Sequence, residues 1–114
     1  MISTSATSKN IAVEISDYVS QVAARFQPDR IILFGSHAYG KPTLDSDVDL
    51  LVVMPHSGRD AAKSIEIQLE IPAKFPMDLI VRKPDELSWR IEQGDFFLRE
   101  IAAKGKVLYE AANL

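Results

Sequence analysis

Three short apolar runs constrain the fold of this chain more than any other feature. They are RIILF at 30–34, DVDLLVVM at 47–54 and MDLIV at 77–81. Each has the length and composition of a buried β-strand. The segments between them carry apolar residues at helical spacing. Strands that alternate with helices predict a layered α/β or α+β domain.

Helical spacing predicts the elements between and beyond these strands. Apolar side chains recur three and four residues apart from about Lys9 to Phe26, and Pro28 follows this helix. A second helix is predicted from Arg59 to Lys74, with Pro72 disturbing its last turn. The remaining predicted elements are a helical turn at 36–40, helices at 84–92 and 96–104, and an edge strand at 106–109.

Length and composition fit one globular domain. The chain has 114 residues, of which 46% are hydrophobic and 25% charged, as is ordinary for a protein with a single core. Residues 1–8 are polar and predict a flexible tail, which leaves residues 9–114 as the domain. The sequence contains no cysteine, which excludes disulfides and thiolate metal sites.

Charge and hydropathy limit the expected partners and location. The formal net charge of -3 argues against nucleic-acid binding over a large surface, which would need a basic stripe. No stretch approaches the roughly 18 to 20 apolar residues of a membrane span, and the N-terminus lacks the apolar core of a signal peptide. We therefore expect a cytoplasmic protein that does not bind membranes.

Three aspartates in or beside two of the strands indicate a metal site. Asp47 and Asp49 lie two residues apart at the start of the second strand, so both project from one face. Asp78 lies within the third apolar run, where an unpaired carboxylate would be costly. If these strands are neighbours, the three carboxylates converge. Oxygen ligands of this kind suit Mg²⁺ or Mn²⁺, with substrate phosphates completing the coordination shell.

Asp78 and Asp45 also fit roles outside a metal site. Asp78 could be a core carboxylate paired with an arginine, and Asp45 fits a solvated loop. A calcium loop of the EF-hand type is excluded. Leu50 stands where that loop needs glycine, and His56 stands where it needs glutamate.

The Gly35-Ser36 pair follows the first predicted strand directly. Glycine allows a ligand to approach the backbone closely, and N–H groups at the start of a helix favour anions. The serine hydroxyl can donate to a phosphate oxygen. No Gly-Lys-Ser/Thr follows, so this is not a Walker A loop. Its position upstream of Asp47 and Asp49 predicts that a triphosphate bridges the turn and the metal.

The segment LFGSHAYGKPTLDSDVDLLVV resembles the signature of the DNA polymerase β-like nucleotidyltransferase superfamily, in its smallest branch, the minimal nucleotidyltransferase (MNT) domain. It carries Gly35-Ser36, ten intervening residues and then Asp47-x-Asp49. Asp78 in FPMDLIV matches the third carboxylate expected on a later strand. The similarity covers roughly residues 25 to 110. It implies an α+β fold with a small mixed β-sheet flanked by helices.

The resemblance also implies roles for these residues. Gly35 and Ser36 would hold the triphosphate of ATP or another nucleoside triphosphate, while Asp47, Asp49 and Asp78 would form the Mg²⁺-binding catalytic set. Asp78 would also help to activate the acceptor hydroxyl. That hydroxyl would attack the α-phosphorus, so that a nucleoside monophosphate is transferred and pyrophosphate is released.

A protein partner is implied by the same resemblance. Larger relatives append a helical domain that binds the acceptor, and this sequence ends just after the nucleotidyltransferase core. A separate HEPN-type helical protein would then supply the acceptor in a hetero-oligomer. In such pairs the MNT protein is the antitoxin of a type VII toxin–antitoxin module, and it transfers AMP to a tyrosine of the partner ribonuclease toxin.

One departure from the family pattern supports an alternative to catalysis. Many relatives carry arginines in a GSRARG-like turn, where this chain has His37 and Tyr39. Loss of an always-charged clamp should weaken triphosphate binding, although His37 could replace it in part or be an exposed residue without a role. The alternative is a non-catalytic module that silences its partner by occlusion. A third possibility, which does not depend on this turn, is transfer to a small molecule such as an aminoglycoside, for which the chain would have to dimerise to form an acceptor pocket.

Four aromatic residues near the C-terminus also have two interpretations. Trp89, Phe96, Phe97 and Tyr109 could form a docking face for a partner. Their helical spacing favours packing in the core, and core packing is the prediction.

Overall fold

Helices and strands alternate along residues 4–43 and 45–112, the part of the chain that the structure, a computed structural model, describes. Side chains are described from residue 11 onward. The elements are α1 Thr4–Phe26, β1 Arg30–Phe34, α2 Ser36–Tyr39, β2 Val48–Val53, α3 Asp60–Glu70, β3 Met77–Arg82, α4 Pro84–Glu92, α5 Phe96–Lys104 and β4 Lys106–Glu110.

The four strands form one mixed sheet in the order β3-β2-β1-β4. β1 pairs antiparallel with β2 and with β4, whereas β3 lies parallel to β2. Adjacent parallel strands need a crossover connection, which α3 supplies here. A mixed sheet flanked by helices confirms the predicted fold class, and β4 confirms the predicted edge strand.

The two faces of the sheet are covered by different helices. On one face, β1 and β2 contribute Ile31, Leu33, Leu50 and Val52, which pack against α1 and α3. On the other face, β1 and β2 contribute Ile32, Phe34, Leu51 and Val53, which pack against Leu87 of α4 and Leu98 and Ile101 of α5. Each large apolar side chain buried in this way contributes about 1.5–3 kcal/mol, so the two layers are the main source of stability.

Two helix ends differ from the sequence-based predictions. α1 begins at Thr4, so residues 4–8 of the predicted tail are helical, while residues 1–3 lie outside the described part. α3 ends at Glu70, four residues before the predicted end, because Pro72 disfavours the helical conformation of Ile71. Although α1 has 23 residues, no described helix is both long and apolar enough to cross a membrane.

The prediction of core packing is wrong for three of the four C-terminal aromatic residues. Phe96 is 84% exposed, Trp89 59% and Phe97 49%. Tyr109 is half-buried and packs against the layer between the sheet and α1. Helical spacing correctly indicated that α4 and α5 each bury one face, but aliphatic residues occupy those faces.

Tyr18 of α1 buries a polar atom in an apolar layer. Its side chain is 3% exposed, and its ring meets Phe75 edge-to-face at a centroid distance of 5.8 Å. Its hydroxyl has no hydrogen-bond partner among the described residues. Burial raises the pKa of Tyr18 from 10.0 to about 12, because the phenolate would lose its hydration.

We expect Tyr18→Phe to increase the free energy of unfolding at neutral pH by up to about 2 kcal/mol, since it removes an unpaired buried hydroxyl and keeps the ring. Above pH 10 the unfolded state loses the phenol proton while the folded state keeps it. Wild-type stability should therefore fall as the pH rises from 10 toward about 12, a loss that the variant lacks.

Urea denaturation of both proteins at pH 7 and at pH 10.5 measures these differences. Tyr109→Phe is the matched control, because its ring is only half-buried, and it should change stability little. A Tyr18→Phe protein less stable than wild type at pH 7 would show that the hydroxyl has a partner in solution.

Candidate active site

The parallel pairing of β2 with β3 places Asp49 directly beside Asp78. The two residues are Cα partners in the register, and Phe34 of β1 is the partner of Asp49 on its other side. Paired residues on adjacent strands project from the same face, with strands roughly 5 Å apart. The expectation that these two strands are neighbours is therefore confirmed.

Asp47 lies just before β2, and its side chain is exposed. Its negative charge contributes to the raised pKa of Asp49, so the two carboxylates are close enough to repel each other. Asp78 is the second residue of β3, directly after Met77. The three predicted carboxylates thus lie at one end of the sheet, where β2 and β3 begin and β1 ends.

The electrostatic environment of Asp49 disfavours its charge. Burial is the largest cause of its raised pKa, and the charges of Asp78 and Asp47 add to it, while His37 acts in the opposite direction. Desolvation and like charges both favour the neutral form. A cation between these carboxylates would remove the repulsion, so this end of the sheet favours binding of a positive ion.

The Gly35-Ser36 turn closes directly over Asp49. Gly35 has φ +74°, and a Cβ atom placed on it would lie 2.0 Å from Oδ2 of Asp49. Ser36 then begins α2, and the Gly35 carbonyl accepts a hydrogen bond from the Ala38 N–H at 3.0 Å. The first N–H groups of a helix have no acceptor within that helix. Because Gly35 lies against the Asp49 carboxylate, the predicted phosphate-binding turn is adjacent to this predicted metal ligand.

His37 joins this turn to the acidic loop. Its side chain is half-buried, and its Nε2–H donates to the Ser46 carbonyl at 3.2 Å, so this nitrogen carries a proton. The Ser46 hydroxyl in turn accepts from the Thr43 N–H at 2.9 Å. These two contacts hold Ser46, the residue immediately before Asp47. The interpretation of His37 as an exposed residue is therefore wrong, and no local sequence signal pointed to this contact.

Asp78 is not an ion-paired core carboxylate, the alternative that the sequence left open. It is exposed, and it forms no ion pair within residues 11–43 and 45–112. Arg82 instead approaches Asp60 at 3.9 Å, and Arg30 pairs with Glu110 at 3.3 Å. Burial of Asp78 was also expected and is wrong, because the residue lies near the start of an edge strand, whereas Leu79 and Val81 farther along it are buried.

The donor atoms fit a hard divalent cation that is shared with phosphates. In the described part of the chain, no three His, Asp or Glu side chains surround one point as a complete metal site. Mg²⁺ commonly takes only one or two carboxylates and completes its shell with water and substrate phosphates. Asp47 and Asp49 could supply that pair. The three-carboxylate metal site that includes Asp78 stays a prediction.

Comparison with known proteins agrees with this arrangement. The profile of the nucleotidyltransferase domain family matches residues 15–108. The chain belongs to this family. The match includes Gly35, Ser36 and all three aspartates of the site.

The fold of this nucleotidyltransferase domain also has a counterpart among solved structures. The crystal structure of a protein from Sulfolobus solfataricus, assigned as a nucleotidyltransferase, is similar with a TM-score of 0.61 and 17% sequence identity. The similarity covers 88% of this chain and 80% of that chain. At this identity the likeness supports the fold alone. No curated protein matches the chain significantly.

We expect Gly35→Ala to destabilise this nucleotidyltransferase domain by about 2–4 kcal/mol, because the new methyl group would overlap Asp49 in addition to requiring a positive φ. Gly58→Ala is the matched control. Gly58 has φ +84° with open space around its Cβ position, so its cost should be only about 1 kcal/mol. Urea denaturation measures both. Equal losses would show that Asp49 moves aside without cost.

We expect Asp49→Asn to raise the melting temperature at pH 7 in the presence of a chelator. The folded pKa of Asp49 lies above its unfolded value, so the ionised side chain destabilises the fold once the pH exceeds the unfolded pKa. The difference should vanish at a pH well below 3.8, the ordinary value for the group. Thermal unfolding followed by circular dichroism tests this, with exposed Asp45→Asn as the control. An unchanged or lower melting temperature for Asp49→Asn at pH 7 would contradict the expectation.

Proposed function

We propose that the chain is a Mg²⁺-dependent nucleotidyltransferase that transfers AMP from ATP to a hydroxyl group of a protein. The observation that carries this proposal is the convergence of Asp49, Asp78 and Gly35. Two carboxylates from parallel neighbours lie side by side, and a glycine turn lies against one of them. Family membership supports nucleotidyl transfer in general.

The residues can be given separate tasks in this reaction. Asp47 and Asp49 would hold Mg²⁺, which when bound neutralises charge on the triphosphate. Ser36 would donate its hydroxyl hydrogen to a phosphate oxygen. Asp78 is exposed, so a protein hydroxyl can reach it and pass its proton to the carboxylate. The hydroxyl oxygen bonds to the α-phosphorus as the bond to the β-phosphate breaks, and pyrophosphate leaves.

We assign the acceptor to a tyrosine of a HEPN-type helical toxin, with this chain as its cytoplasmic antitoxin. The support is the resemblance of the Gly35–Asp49 segment to the MNT domain, a similarity that extends over roughly residues 25 to 110. The exposure of Asp78 on an edge strand adds to it, since a macromolecular acceptor needs an open approach. AMP as the transferred group rests on the same resemblance.

A non-catalytic antitoxin that acts by occlusion is the second candidate. It is favoured by the sequence of the turn after Gly35, where many relatives carry arginine. His37 stands there, and its Nε2–H is already donated to Ser46. That nitrogen is therefore not free to hold a phosphate, which lowers the affinity expected for ATP.

Labelled ATP distinguishes the two candidates. With Mg²⁺ and a HEPN-type partner, label at the α-phosphate should move onto the partner, whereas label at the γ-phosphate should leave as pyrophosphate. Asp47→Asn with Asp49→Asn should reduce transfer at least about 10²-fold, since the charge stabilisation of the transferred group is lost. Asp45→Asn, an exposed carboxylate of the same loop, should retain full transfer.

Two results would contradict the proposal. Transfer that persists in the double variant would place the chemistry elsewhere. No transfer by the wild type, with partner silencing kept in the double variant, would make occlusion the better account.

A further inference from the structure

An aromatic surface continues the line of the catalytic carboxylates across the sheet. Asp78, Asp49 and Phe34 are register partners on three neighbouring strands, so their side chains project from one face. The ring of Phe34 is buried, and the ring of Phe97 meets it edge-to-face at a centroid distance of 5.7 Å and an angle of 83°. Phe97 therefore packs against the side chain that ends the row begun by the carboxylates.

Phe97 is held in place although half of its surface is exposed. It lies in the first turn of α5, which Asp95 caps by accepting a hydrogen bond from the Leu98 N–H at 3.0 Å. Arg90 of α4 approaches the same carboxylate at 3.7 Å. Leu98, the next residue, is buried in the core with 1% exposure. Phe97 therefore presents a partly exposed aromatic ring on a fixed helix turn.

The perpendicular contact leaves at least one face of the Phe97 ring uncovered by Phe34. Planar aromatic groups stack on such faces, and nucleobases do so whatever their identity. One strand spacing between Asp49 and Phe34 and one ring separation between Phe34 and Phe97 place the Phe97 ring within roughly 10 Å of Asp49. A metal ion, an α-phosphate and a ribose can bridge that distance.

We propose that Phe97 is the stacking surface for the base of the nucleoside triphosphate. This inference rests on the proposed function, because it takes the triphosphate to lie over Gly35 and Asp49. Stacking without hydrogen bonds to the base edge gives affinity for any nucleobase and little discrimination among them.

Among the other exposed aromatic side chains, Phe96 and Tyr39 are the natural comparisons, because they adjoin Phe97 and the Gly35-Ser36 turn. Phe96 is 84% exposed and Tyr39 is 48% exposed. Neither has a ring contact within the described part of the chain, whereas Phe97 contacts Phe34. Phe96 is thus a control matched in residue type and helix. Tyr39, in α2 after the Gly35-Ser36 turn, is the alternative aromatic side chain on which a base could stack.

Binding of two Mg²⁺ complexes by isothermal titration tests the proposal. One is ATP, and the other is inorganic tripolyphosphate, which has no base. Phe97→Ala should weaken ATP binding about five- to hundredfold and leave tripolyphosphate binding unchanged. Phe97→Trp should restore ATP binding. Phe97→Leu, which keeps apolar packing against Phe34 without an aromatic face, should resemble Phe97→Ala. Phe96→Ala should bind both compounds as the wild type does.

The outcomes separate this proposal from the proposed function. If Phe97→Ala and Phe97→Leu bind ATP as tightly as Phe96→Ala, or lose both compounds equally, Phe97 is not the base surface. A selective loss of ATP binding in Tyr39→Ala alone would move the base to the other side of the turn. The proposed function itself fails if the wild type binds neither compound. It also fails if the Asp47→Asn/Asp49→Asn protein binds both compounds as tightly as the wild type does.

Discussion

The parallel pairing of β2 with β3 is the interaction on which the rest of the site depends. It places Asp78 beside Asp49, although 28 residues separate them along the chain. A slip of one residue would turn Asp78 to the opposite face, because side chains alternate along a strand. The register is maintained by buried Leu50 and Leu79 and by α3, whose Ser64 hydroxyl donates to the Leu79 carbonyl at 2.7 Å. The crossover helix thus supports the site from the face of the sheet opposite to Asp49 and Asp78.

Features that suit the site to cations and phosphates also cost stability. Asp49 is held close to two other carboxylates and is partly removed from water, which disfavours its charge. Gly35 adopts a positive φ and lacks the side chain that would otherwise occupy the position of the Asp49 carboxylate. Proteins tolerate such local costs where the remaining core is large enough, and here two apolar layers, one on each face of the sheet, offset them.

Much of the fold could be predicted from local patterns, and the errors have physical causes. Short apolar runs and helical spacing located every described strand and helix, and proline explained where α3 stops. The same spacing misplaced Phe96 and Trp89, because periodicity shows that a helix has a buried face but not which side chains the sheet covers. The contact of His37 with Ser46 was also beyond prediction, since it joins a turn to a loop across nine residues without a pattern.

The sequence by itself determined which groups are available for chemistry and how near neighbours are arranged. A spacing of two along an extended segment predicts that Asp47 and Asp49 share one face, and a glycine after an apolar run predicts a turn at Gly35, because these are properties of the local backbone. Only the tertiary structure decided that Asp78 joins them and that Phe97 lies against Phe34. Strand order and helix docking depend on packing between distant segments, and local periodicity carries no information about which segments meet.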